Sequence, residues 1–284
     1  MAIADQIKRL QNAQLKIKNN FKRLDIKPSD FGLTGSVNAQ KMDGLAEMTN
    51  PKQLIRILIA RTASAQRLFQ NSDETIQEIL EPSFTANCVN FRETFVGSTW
   101  LMEVDTSKGE EFLSTFWGCR TIENFPNIST QNAQSLSYTY SNCDNAKSVP
   151  AIDFINCGNA WGTFNKCCLL TKVEFYNWGP LAVNHGSICQ DCYSLKAFVI
   201  RSFSSKREFK VNNLKNCYHF HGTKDATYNP TGAKDGYIYV PKAYVNELKA
   251  ATNWSVFASQ IRALEDYTTD GTTTGPLNTT KMGL

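Results

Sequence analysis

The chain holds three histidines, a net charge of only +4 and no apolar run of transmembrane length, and each scarcity removes a class of function. A membrane-spanning helix needs about twenty consecutive apolar residues, and no such stretch occurs. Thirty basic residues against twenty-six acidic ones give no field strong enough to mark a dedicated nucleic-acid binder. The opening Met1-Ala2-Ile3-Ala4-Asp5-Gln6 carries no apolar stretch of signal-peptide length. The expectation is a soluble chain outside the ordinary secretory route. There is no glycine-rich phosphate loop, no Gly-x-Ser-x-Gly elbow and no His-Glu-x-x-His, the spacings that would announce nucleotide, acyl-transfer or zinc-peptidase chemistry. Adjacent carboxylates such as Glu110 and Glu111 are expected to diverge on a strand or helix, unable to flank one glycosidic bond. The reading is therefore of a protein that is not an enzyme, with no catalytic residue, cofactor or metal.

What is present is a repeated phrase. It reads Phe95-x2-Ser98-x2-Leu101-x2-Val104, then Phe116-x2-Cys119-x2-Ile122-x2-Phe125, Tyr140-x2-Cys143-x2-Ala146-x2-Val149 and Phe164-x2-Cys167-x2-Leu170-x2-Val173. Cys189-x2-Cys192-x2-Leu195-x2-Phe198 and a fading Leu214-x2-Cys217-x2-Phe220 follow, so the anchors lie 21, 24, 24, 25 and 25 residues apart. A unit of that size cannot bury its own apolar side, so successive units must stack and share one core. Cys119, Cys143, Cys167, Cys192 and Cys217 are then a structural column: a thiol is small, tolerates burial and donates weakly to a carbonyl at a tight corner. Nine cysteines is an odd number, and with five committed inward the expectation is mainly reduced thiols rather than a disulfide framework. Cys189-x2-Cys192 has metal-ligand spacing, but both residues already hold repeat positions. His219 and His221 alternate and would share a face on a strand.

Taken in order, Ile3, Ile7, Leu10, Gln14, Ile17, Phe21 and Leu24 form a heptad seam over residues 1–30, with Gln14 the polar residue at a central a position. The seam predicts oligomerisation or anchoring, with a trimer favoured over a dimer because β-branched residues stand at d. An amphipathic helix packed on its own chain or on another protein is the plainer alternative. Pro28, Gly32 and Gly35 open a junction over 31–65, with a covering helix expected at about 51–64. A degenerate coil is placed at 66–90 with Ile76 and Ile79 inward, so that the repeats run over 66–240. A cap helix follows over 241–266, carrying Tyr244, Val245, Leu248, Ala251, Trp254, Phe257, Ile261 and Leu264. Residues 267–284, rich in Thr and Gly, are read as a flexible polar tail whose order would imply a partner.

Gly236-Tyr-Ile-Tyr-Val-Pro241 followed by Ala250-Ala-Thr-Asn-Trp254-Ser-Val-Phe-Ala-Ser-Gln-Ile261 resembles the C-terminal cap of BspA-type leucine-rich-repeat proteins, which occur on bacterial surfaces and in tailed phages. The Cys column with aliphatic residues three apart is similar to that family too, over roughly 66–264. Ser98 for Cys and Ala146 for a large aliphatic depart from its pattern. Ile3-Ala-Asp-Gln-Ile-Lys-Arg-Leu-Gln-Asn-Ala-Gln-Leu-Lys-Ile17 resembles the helical leader of phage tail, baseplate or fibre proteins. The resemblances imply an α/β repeat: a leucine-rich-repeat solenoid with stacked short strands, helical end caps and an N-terminal amphipathic or coiled-coil helix. They imply a virion component, assembled in the host cytoplasm, whose partners are further copies of itself, other virion proteins, and a host-surface protein or glycan. No nucleic acid and no membrane insertion are expected.

A bacterial cell-surface adhesin is the rival, and a carbohydrate-active enzyme a third reading. Between the inward residues lie Met102-Glu103, Glu123-Asn124, Lys147-Ser148, Thr171-Lys172 and Lys196-Ala197, an acidic-to-basic shift that reads as a docking face or as solvated charge. Trp100, Trp117, Trp161 and Trp178 would stack on sugars if exposed and otherwise pack against the core.

Overall fold

The structure, a computed structural model, describes residues 63–284 apart from 79, 180–185, 205–208, 222, 225–229 and 232–233, together with residues 8, 9, 11, 12 and 15. Lys8, Arg9, Gln11, Asn12 and Leu15 are helical. The seam residues Ile3, Ile7, Leu10, Gln14, Ile17, Phe21 and Leu24, and residues 51–62 of the helix expected at about 51–64, lie outside the described residues, while Ala63 and Ser64 are not helical. The side chains of Ile76 and Ile79 also lie outside the described residues.

From residue 63 onward the chain forms successive windings held by two kinds of ladder. The first is a stack of turns. Alternate amides of one winding donate to carbonyls of the next: Phe91, Glu93, Phe95 and Gly97 reach Glu111, Leu113, Thr115 and Trp117 at 2.8–2.9 Å, and Phe112, Ser114, Phe116 and Gly118 reach Ser135, Ser137, Thr139 and Ser141 at the same lengths. Such a turn needs a left-handed residue twice per winding, four positions apart, as at Glu93 and Gly97, Ser114 and Gly118, Tyr138 and Asn142, and Gly162 and Lys166. Each non-glycine residue there costs about 1–2 kcal/mol, a cost that the inter-winding hydrogen bonds offset.

Inside this stack the anchors pile ring on ring. Phe69, Phe95, Phe116, Tyr140 and Phe164 follow one another at centroid separations of 5.6, 5.6, 5.3 and 5.3 Å. Phe69 is thus the anchor of the first described winding, with Ser72 and Thr75 in the two inward places after it. Beside the rings runs the file of thiols. Cys119, Cys143, Cys167 and Cys192 donate to the carbonyls of Phe95, Phe116, Tyr140 and Phe164 at 3.0–3.1 Å, and Cys217 to that of Cys189 at 2.9 Å. Ser98 makes the same bond to the Phe69 carbonyl at 3.1 Å, so a hydroxyl replaces the thiol without altering the winding. All five of these sulfurs are fully buried.

The second ladder is a five-stranded parallel sheet. Seven strands are described: β1 (Ile152–Asp153), β2 (Lys172–Tyr176), β3 (Ala197–Ile200), β4 (Thr223–Lys224), β5 (Pro230–Thr231), β6 (Tyr237–Val240) and β7 (Ile261–Ala263). The sheet order is β1-β2-β3-β6-β7, with β4 and β5 paired antiparallel apart from it. Val173, Phe198, Ile238 and Ile261 lie in register across four strands and close the core opposite the rings. Short helices α1 (Tyr218–His221), α2 (Val245–Ala250) and α3 (Thr279–Met282) flank the sheet, giving a mixed α/β fold.

Three expectations are corrected here. The cap over 241–266 is not one helix: after α2 and a 3-10 turn at Ser255–Gln260, Ile261–Ala263 pairs with β6 as a further strand. The Gln260 amide sets that frame by donating to the Gly236 carbonyl at 2.8 Å. His219 and His221 fall on α1 rather than on a strand, and His219 Nδ1 meets Asp235 at 2.5 Å. Along the windings the charges named above are in part paired at the surface, Lys147 with Glu123 at 2.9 Å and Lys196 with Asp235 at 3.6 Å.

The third concerns residues 267–284, which do have something to bury. Met282 joins Ala197, Val199, Tyr239 and Leu264 in a second apolar cluster, with Leu277 and Tyr267 packed at its edge. The buried Arg201 guanidinium grips Glu174 at 2.7 Å and donates to the carbonyls of Thr273 and Gly275 at 2.9 and 2.7 Å. The chain's own sheet holds this segment.

Candidate functional site

The winding surface carries a polar groove of about 770 Å³, and a repeated backbone irregularity shapes it. The amides of Glu110 and Glu111 both donate to the Val89 carbonyl, at 2.8 and 3.1 Å; those of Gln134 and Ser135 share Glu110, and those of Gly158 and Asn159 share Gln134. Two successive amides on one acceptor form a bulge, which re-aims neighbouring side chains. Glu110 and Glu111 both border the groove. The other two windings contribute Asn132, Gln134 and Ser135, then Asn156 and Asn159.

The groove side chains are braced. Gln134 donates to Glu110 Oε2 at 2.8 Å, while Asn132 and Asn156 donate to the carbonyls of Ser107 and Gln131, one winding back, at 2.9 and 2.7 Å. Burial pushes the Glu111 carboxyl up; the nearby Arg92 cation opposes this, and Glu110 adds to it. The arrangement presents planar donors and acceptors at the winding period, with a partly desolvated carboxyl among them.

Two exposed aromatics stand on the same windings, outside the lining of the groove. The amide of Trp161 donates to Asn159 Oδ1 at 3.2 Å, tying that residue to the third winding of the groove. A Cβ at Gly186 would lie 2.6 Å from the Trp161 ring and 3.1 Å from Asn212 Nδ2, and one at Gly162 would lie 2.8 Å from the Tyr138 ring. Both rings therefore rest on glycine backbone, and both side chains remain more than a third exposed. Of the other tryptophans singled out by sequence, Trp117 is exposed, Trp100 half-buried and Trp178 buried.

The thiols do not converge on a ligand site. Burial pushes Cys88 and Cys157 up to about 12 and holds Cys143, Cys167, Cys189 and Cys217 well above the usual thiol range. Cys189 and Cys192, which carry metal-ligand spacing, are both consumed by the stack, and among the described residues no group of His, Cys, Asp and Glu could hold a metal ion.

One column escaped the reading of the sequence. Thr94, Thr115, Thr139 and Thr163 are fully buried, and each donates both to the carbonyl three residues before it and to one a winding back, as Thr115 does to Phe112 and Phe91 at 2.9 Å. The signal was available: a Thr immediately precedes the anchors Phe95, Phe116, Tyr140 and Phe164. Among the described residues no helix is long and apolar enough to cross a membrane. Comparison with protein-family models, with curated proteins and with solved structures yields no match.

Proposed function

We infer that this chain is a non-enzymatic interaction protein of a tailed-phage virion: a leucine-rich-repeat solenoid, anchored or trimerised through its N-terminal helix, whose exterior makes contacts within the particle or at the host surface. The observation that carries this reading is the run of windings at offsets of about two dozen residues. Such an array spends its bulky residues on contacts between neighbours and leaves a long exterior for binding. The heptad seam and the cap-like phrase at 236–261 support the phage and repeat-family parts by resemblance.

The test is a mass measurement by light scattering on the full chain and on an Ile7→Asp/Ile17→Asp variant. The reading expects a trimer that falls to monomer in the variant, with unchanged circular dichroism in the strand region. Equal masses for the two proteins would exclude self-assembly through the seam and leave anchoring to another virion protein. Immunogold labelling of purified particles tests the location. A second reading, a carbohydrate-active enzyme, draws on the Glu110–Glu111 pair in the groove; release of reducing ends from host polysaccharide, lost in Glu111→Gln, would favour it.

A further inference from the structure

We propose that the groove between Glu110 and Asn159, together with the exposed Tyr138 and Trp161 rings of the same windings, binds an extended neutral glycan lying along the stack of windings. The inference rests on the reading that this exterior is presented at a host surface, and it names the ligand class.

Three features converge on that class. The lining is almost wholly planar and polar: Glu110, Glu111, Asn132, Gln134, Asn156 and Asn159 offer paired donors and acceptors suited to vicinal hydroxyls. Much of it is held in place by hydrogen bonds within and between windings, which lowers the ordering cost of binding. A groove of about 770 Å³ falls within the roughly 300–1,000 Å³ of small-ligand sites.

The second feature is the aromatic platform. Tyr138 and Trp161 each lie against a glycine that has no room for a Cβ, and each remains exposed. Gly162 and Gly186 thus form the seats that hold the rings against the backbone. A pyranose offers an apolar C–H face to such a ring while its hydroxyls point sideways to amides, and Asn212 Nδ2 lies beside the Trp161 ring over Gly186.

The third is repetition. Asn132 and Asn156 hold equivalent places in successive windings, at about the 4.8 Å spacing of paired strands, the length scale on which an extended polysaccharide also repeats, so two successive sugars meet like amides. The two carboxylates exclude polyanions by repulsion, which makes a neutral chain the ligand and a uronic or sulfated one the wrong class.

The experiment is tryptophan-fluorescence and calorimetric titration of the full chain with neutral oligosaccharides of two to six sugars (cello-, chito-, manno- and malto-series), with oligogalacturonate and dextran sulfate as acidic comparisons. At least one neutral series is expected to bind, with affinity rising with length. Trp161→Ala and Gln134→Ala should each weaken binding at least tenfold while leaving the thermal midpoint within a few degrees. No binding by any neutral series at millimolar sugar, equal binding by Trp161→Ala, or binding of the acidic polymers alone would overturn the proposal. Its failure is separable from failure of the virion reading, because the mass measurement does not depend on sugar.

Discussion

The windings up to residue 150 and those after it solve the same stacking problem with different chemistry. Early windings carry the ring anchors Phe69, Phe95, Phe116 and Tyr140 and pair through isolated bridges, such as Ser64 to Asn90, Glu111 to Ser135 and Asn124 to Ser148. Later windings carry Val173, Phe198, Val199, Ile200, Ile238 and Ile261, and there the bridges lengthen into strands. Two causes separate them. Pro126 and Pro150 stand just beyond the Asn124–Ser148 bridge and have no N–H to extend it. The later strands are also covered outside: all four residues of β3 are buried, because the C-terminal segment lies on the face that the early windings leave open. Strand formation thus follows coverage and available donors, not the repeat period, which both regions share.

The comparison breaks most severely at the centre of the ring stack. Phe116 lies between Phe95 and Tyr140 and meets Phe125 edge-on at 5.5 Å. Phe116→Ala is expected to cost about 4 kcal/mol in urea unfolding, because the early windings have no long strand ladder to share the loss. Next is Arg201→Met, which strips the partly buried Glu174 of one of its two cations and frees Thr273 and Gly275. A loss of about 3 kcal/mol is expected, with hydrogen exchange rising first at residues 268–284 and in β3, while the early windings stay protected.

Acid sharpens the same contrast. Burial alone would push Glu174 up, but the hydrogen bonds and charges of Lys172 and Arg201 outweigh it, and the carboxyl lies below its ordinary value of 4.5. A depressed carboxyl stabilises the fold above its unfolded pKa, and that contribution disappears as pH falls through the folded value. Proteolysis of the C-terminal segment should therefore begin below about pH 4.5 in the native protein, and be already present at neutral pH in Arg201→Met. The smallest effect has the opposite sign. The Tyr140 hydroxyl is fully buried and has no hydrogen-bond partner among the described residues, while its neighbours in the stack are phenylalanines. Tyr140→Phe should raise stability by about 1 kcal/mol, read as a higher urea midpoint.

The period and the inward thiols were legible because they depend on residues three apart within one winding. Three other features were not, for a shared reason. Trp254, Phe257, Ile261 and Leu264 have helical spacing, yet Ile261 joins a strand because its partner Ile238 and the Gln260 amide bond to Gly236 fix it from 23 and 24 residues away. The docking of residues 267–284 turns on Arg201, which reaches Gly275 across 74 positions, while Leu277 and Met282 stand among polar residues. Glu110 and Glu111 border one groove with residues of the two following windings, which no spacing within a single winding reveals. Local pattern reveals what a winding puts inward; what lies on its outside is decided by distant chain.

Thiol counting tests the shared interior most directly. Eight of the nine cysteines are buried and Cys168 alone is half-buried, so Ellman's reagent at pH 8 should find about one reactive thiol per native chain and nine in guanidinium. Four or more reacting at once in the folded protein would contradict a core built from stacked windings with their sulfurs turned inward.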